Sequence, residues 1–221
     1  MYREMATGGA SCLGFLYYEL TQTLFSGLGG ALGMGLRYLT FPALFKFCGK
    51  KTVFGRGLIL RCPKRVSLGK RCLIDDLAVI DARGDKSKIE IGDFVSIGRG
   101  SAIVAKDAEI KIADGVNIGC NVRIATQSKI TIEESVLIAA NVYIGPGNHK
   151  KDDGTPLIAC EMDLKGGVTI GKNVWIGTGA TIMDGVSIGE GAIVGAHALV
   201  RHDVPAGKTA VGVPARVIDE K

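Results

Sequence analysis

The chain has 221 residues, a net charge of +5, 47% hydrophobic residues and 32 glycines. That hydrophobic content excludes global disorder, and glycine without a strict Gly-X-Y period excludes collagen. The length suits one ordinary domain with an appendage. The six cysteines form no C-x-x-C pair, and none has a histidine at zinc-ligand spacing. With no cleavable leader recognised, the expectation is a reducing cytoplasm and no disulfide framework.

Charge divides the chain unequally. Residues 1–72 carry eleven Lys/Arg and two Glu, whereas residues 73–221 carry sixteen Lys/Arg and twenty Asp/Glu. Residues 11–45 are strongly apolar, and Leu20 to Leu36 holds no charge, with Glu19 and Arg37 as its flanks. The reading is one or two short helices lying in or dipping into a membrane interface. The nine basic residues between Lys46 and Arg71 would then face anionic headgroups. An apolar helical cap on the following domain is the alternative. The basic run lacks interleaved aromatics, so no nucleic acid partner is expected. Residues 1–55 form this N-terminal segment, and residues 56–221 form the domain that follows.

From about residue 58 aliphatic residues recur every six: Ile91, Ile97, Ile103; Ile112, Ile118, Ile124, Ile130; then Ile132, Ile138, Ile144; and after an interruption Ile170, Ile176, Ile182, Ile188, Val194, Val200. A helix of 3.6 residues per turn would rotate such a stripe around its axis. A period of six fits a short strand plus a corner, and three sides close a triangular coil of about 18 residues that buries its neighbour's face. Asn and Gly suit corners that need a positive φ. The predicted fold is an all-β solenoid with an N-terminal apolar helical segment.

The period breaks once, between Ile144 and Ile170. The extended loop at 145–168 carries His149, flanked by Asn148, Lys150, Lys151, Asp152 and Asp153. A stacked solenoid needs no such excursion, and loops of this length carry function. Histidine is the side chain whose ordinary pKa suits proton abstraction near neutral pH.

The repeats I-G-K-N-V-W-I-G (170–177) and I-G-E-G-A-I-V-G-A (188–196), with the tail V-P-A-G-K-T-A-V-G-V-P-A-R-V-I (204–218), resemble the hexapeptide-repeat acyltransferases, and most of all their sugar and polysaccharide O-acetyltransferases. The resemblance implies a left-handed parallel β-helix, a homotrimer, active sites between subunits, and acetyl-CoA as the acyl donor, with no metal expected. It places the catalytic base at His149 and substrate contacts at Asn121 and Asn148. It places the cofactor groove at Trp175, Thr178, Ala196, Arg201, His202 and Arg216, with Lys208 near and the C-terminal tail at 203–221. Asn121 is also an ordinary corner residue, like Asn141 and Asn173, and His197 reads as exposed or at a subunit contact.

The implied function is transfer of acetyl to a sugar hydroxyl of a lipid-linked or nucleotide-linked glycan precursor, at the inner face of the cell membrane. Two alternatives stand beside it. Gamma-class carbonic anhydrases use the same helix with zinc, and His197 and His202 have a suggestive spacing; a non-catalytic trimeric scaffold is the other.

Overall fold

The computed structural model describes residues 1–145, 147–150 and 154–218. Three short parallel sheets form the sides of a prism. The first face runs from Phe47–Cys48 to Ser187–Ile188 and the third from Ile59–Arg61 to Leu199–Val200. The second runs from Val53–Phe54 through Ile193–Val194 to a closing hairpin, Thr209–Gly212 with Ala215–Ile218. Among the described residues, every pairing between successive coils is parallel, and seven coils are complete.

The six-residue period appears directly in the register. Phe54, Ile74, Ile97, Ile118, Ile138, Ile176 and Val194 pair in sequence down the second face, each side chain buried on the one below. Burying each such side chain is worth roughly 1.5–3 kcal/mol. Because strand residues alternate in and out, each neighbour of these positions faces outward.

Two of the three corners are alike in every coil. Each turns on one left-handed residue, from Lys51 to Gly191 between the first and second faces and from Gly57 to His197 between the second and third. Asn121, Asn141 and His197 all belong to the second series. The third corner carries the variation in length. Thr169 pairs with Ser187, the expected eighteen-residue step, but Ser67 pairs with Glu90 and Ile130 with Val168. A uniform 18-residue coil therefore holds only at the C-terminal end. Elsewhere extra residues enter where the chain passes from the third face back to the first, and the excursion after Ile144 is the largest of these.

The N-terminal segment closes the open end of the prism. Helices α1 (Tyr2–Thr7), α2 (Cys12–Phe25) and α3 (Gly30–Thr40) lead into a short 3-10 turn, Phe41–Leu44. The first coil starts at Phe47, so it includes residues that composition alone groups with the apolar segment. Phe41, Leu44 and Phe45 are buried, and the Phe45 ring stacks on Phe54 with centroids 5.6 Å apart. The Tyr18 hydroxyl donates to the Leu60 carbonyl at 2.7 Å. Arg37, which ends the uncharged run, is buried between the cap and the first coil. It is only 3% exposed; its Nε donates to Phe54 O (2.9 Å) and its Nη1 to Phe25 O (3.0 Å) and Leu28 O (2.6 Å). Those three carbonyls satisfy the guanidinium where water cannot. Among the described residues, no helix is long and apolar enough to cross a membrane.

The basic run is also redistributed. Arg61 approaches Asp81, Arg65 meets Asp85 at 2.8 Å and Lys70 meets Asp93 at 3.2 Å, each pairing with an acid one coil further on. Lys46, Lys50, Lys51 and Arg56 remain exposed around the first coil.

Candidate active site

The excursion leaves and rejoins the prism through two glycines that no other residue could replace without displacement. Gly145 (φ 89°) lies where a Cβ would sit 2.5 Å from Ala125 O, and at Gly167 (φ 102°) a Cβ would sit 2.0 Å from Lys129 O. L-residues avoid this backbone region in any case. Between them, Asn148–His149 pairs antiparallel with Met162–Asp163. Lys150 and Glu161 reinforce the ribbon, Lys150 N donating to Glu161 O at 2.9 Å and the side chains meeting at 3.0 Å. Lys151, Asp152 and Asp153, named above as neighbours of the histidine, lie outside the described residues, as do Pro146 and 219–221 of the tail.

The returning arm is tied to the prism by Asp184, which is 7% exposed. Its Oδ2 accepts from Lys165 N at 2.6 Å and its Oδ1 from Ser128 Oγ at 3.0 Å; Ser128 Oγ also lies 3.1 Å from Thr126 Oγ1. Gly185 N donates to Gly167 O at 2.8 Å. The ribbon carrying His149 is thus anchored at its base, while His149 itself is exposed.

His149 Nδ1 lies 3.1 Å from the carbonyl oxygen of Cys160. A carbonyl only accepts, so Nδ1 carries the proton and donates it. In the neutral ring that tautomer puts the lone pair on Nε2, the arrangement a general base requires.

Two adjoining cavities share Gly147 and Asp184. The larger, about 240 Å³, lies on the third face. Val104 and Ala125 pair in its floor, and Arg83, Lys106, Arg123 and Tyr143 stand at its sides. Met162, the strand partner of His149, and Leu164 close it on the loop side. The smaller, about 100 Å³, gathers Arg201 and His202 with Asp163, Lys165 and Met183.

The structure therefore brings Arg201 and His202 together beside the loop of His149. The other expected donor contacts follow a different edge. Trp175 is half-exposed on the second face, Arg216 is exposed on the closing hairpin of that face, and Thr178 and Ala196 are exposed at the second corner. The Thr178 hydroxyl donates to Ala140 O at 2.8 Å. Asn121 (φ 54°) is a left-handed corner residue, and Asn148 pairs through its backbone with Asp163. None of these six lines either cavity. Sequence reading missed Asp184, Arg83, Lys106 and Arg123; the signal for the three cations was alternation on the third face, where outward positions place cations beside small residues, and Asp184, buried past the strand Thr181–Ile182, had none.

His197 caps its own corner, its ring over Gly179, and His202 lies beyond the strand Leu199–Val200. Among the described residues, no group of three or more His, Cys, Asp or Glu is placed to hold a metal ion.

A family model for the bacterial transferase hexapeptide (six repeats) matches residues 167–202. A probable acetyltransferase of Mycobacterium tuberculosis is 36% identical over 142 residues, covering 64% of this chain and 47% of that protein. The dTDP-4-amino-4,6-dideoxy-D-glucose acyltransferase of Escherichia coli is 31% identical over 156 residues, covering 71% of this chain and 72% of that protein. Among solved structures, the polySia specific acetyltransferase NeuO aligns with a TM-score of 0.57 at 25% identity, over 77% of this chain and 79% of that one. The chain spans about half the length of the first curated relatives it matches. It belongs to the hexapeptide-repeat acyltransferase family.

Proposed function

We propose that this protein is an O-acetyltransferase that moves an acetyl group from acetyl-CoA to a hydroxyl of a sugar in a cell-surface glycan precursor. The observation that carries the reading is the orientation of His149 by Cys160 O, on a ribbon whose other strand places Met162 and Asp163 in the lining of the two cavities. In the proposed step Nε2 takes the acceptor hydroxyl's proton as that oxygen attacks the thioester carbonyl. The tetrahedral intermediate collapses, the C–S bond breaks, and the imidazolium returns the proton to the departing thiolate. No acyl-enzyme forms.

Arg201, His202 and Arg216 are exposed cations or potential cations suited to coenzyme A phosphates. Trp175 offers an exposed ring, and small residues at the second corner leave the backbone approachable by an amide-bearing arm. Arg201 and His202 lie beside the loop of His149, whereas Trp175, Thr178, Ala196 and Arg216 lie on a different edge of the prism. A homotrimer in which the second corner of one protomer faces the loop of the next would join them, and that is the assembly proposed.

The outer surface of the helical cap supports a peripheral membrane location. Leu13 is 80% exposed, Leu32 73% and Leu39 74%, and Lys46, Lys50 and Lys51 surround the first coil below them. Apolar area with a basic collar is the composition that binds an anionic lipid surface. The proposed site is therefore the inner face of the cell membrane, with a lipid-linked acceptor.

The test is release of coenzyme A thiol from acetyl-CoA with a panel of hydroxyl and amino sugars, free and lipid-linked. Hydroxyl acceptors should turn over. Transfer confined to amines would overturn the O-acetyl assignment, and thiol release with no acceptor would overturn the transferase reading. Sedimentation with phosphatidylglycerol vesicles, lost in Leu32→Asp, tests the membrane location.

A further inference from the structure

The larger cavity is charged in a way that the transfer chemistry does not require. Its lining includes three cations, Arg83, Lys106 and Arg123, and one carboxylate, Asp184. Both Asp184 oxygens are already engaged, by Ser128 Oγ and Lys165 N. Arg83 is shared, its Nε lying 2.8 Å from Asp81 Oδ2. Lys106 and Arg123 are exposed; among the described residues neither has an acidic partner, and the Arg123 guanidinium lies 6.0 Å from the centroid of the Tyr143 ring.

The register explains why these charges meet. Arg83 pairs with Lys106 on adjacent coils, and Arg123 stands two residues before Ala125, hence on the same outward side. Val104 and Ala125 lie between these two rows and are short, so the rows become walls of a trough. Tyr143 extends the Arg123 wall toward the loop, where Met162 and Leu164 close the end. An apolar floor with an aromatic at one end suits a sugar ring, while two guanidinium groups and an ammonium suit an anion. With Asp81 offsetting Arg83, Lys106 and Arg123 are the two cations of the trough that have no acidic partner among the described residues, and together they favour an anion.

We infer that this trough is the acceptor subsite and that it selects a phosphorylated sugar, the phosphate held by Arg83, Lys106 and Arg123 with the ring toward Tyr143 and the His149 ribbon. The inference deepens the transferase reading and rests on it for the word acceptor, but the anion site is measurable without turnover.

The experiment is calorimetric binding of the full chain to hexoses, the same hexoses as 1-phosphates and as uridine diphosphate esters, and to inorganic phosphate. The phosphorylated sugars should bind at least about tenfold more tightly than the parent hexoses, and the difference should shrink with added salt. Lys106→Glu and Arg123→Ala should each weaken the phosphorylated sugar at least about tenfold, with part of the loss recovered in Arg123→Lys. Both positions are exposed, so the variants fold. Equal affinity for charged and neutral sugars, indifference to both variants, or inorganic phosphate binding as tightly as the sugar phosphates would each overturn the inference. Acetyl transfer to neutral sugars alone would overturn it and leave the transferase reading standing. Charge-dependent binding with no thiol release would overturn the transferase reading and leave the anion site standing.

Discussion

Arg37→Met keeps the apolar stem and removes the guanidinium that joins the helical cap to the prism. The wild-type group donates to carbonyls of Phe54 in the first coil, Phe25 at the end of α2 and Leu28 in the link to α3. A hydrogen bond from a charged group contributes about 1.5–3 kcal/mol, and orphaned buried carbonyls add their own cost. Burial also opposes the charge, lowering the guanidinium pKa, so the net loss should be about 3–6 kcal/mol rather than the full sum. Because a solenoid's coils contact only their neighbours, that loss should fall on the cap and not spread along the stack. Hydrogen exchange followed by mass spectrometry reads it directly. Amides of α3 and of Gly57, which donates to Ser26 O at 2.7 Å, should exchange about a hundredfold faster or more. Those of residues 109–138 should stay protected. Unchanged exchange in α3, or equal loss throughout the prism, would refute the reasoning.

Gly167→Ala should displace the returning arm, since the new methyl would collide with Lys129 O; the expected result is faster proteolysis between residues 154 and 166 and a fall in turnover with the coils intact by circular dichroism. Asp184→Ala should release the same arm more gently, at about 1–3 kcal/mol for the orphaned Lys165 N–H, and raise KM for both substrates because both cavities border this residue. The Tyr18 pKa is pushed up to about 12, chiefly by burial. A raised pKa means the folded state holds the proton more tightly, so this contribution is complete below pH 10 and declines as pH rises toward 12. Urea unfolding at pH 9 to 12 should show Tyr18→Phe losing less stability across that window than the wild type; parallel curves would contradict the assignment.

The inward columns of isoleucine were legible because a period of six has few structural explanations. The third corner was not, because an insertion of a few residues shifts the hexad frame without saying which corner absorbed it. The fate of the basic run was hidden by the same insertions. Arg61 with Asp81, Arg65 with Asp85 and Lys70 with Asp93 each sit one coil apart, but at steps of 20, 20 and 23 residues that the eighteen-residue repeat does not give. Arg37 could not be read either, since its partners are backbone carbonyls from three separate segments. The same holds for His149. The sequence marks the residue and the excursion, but the carbonyl of Cys160 that orients it has no side-chain signature. The charged trough escaped notice because its three cations come from three different coils, and each alone reads as ordinary solvated surface.

The most direct measurement is steady-state turnover of His149→Ala and His149→Gln on the best sugar acceptor, with acetyl-CoA binding measured alongside. Loss of kcat by about 10²–10⁴ with donor affinity retained is the predicted result. Variants that turn over at the wild-type rate would contradict the claim that this imidazole takes the acceptor's proton.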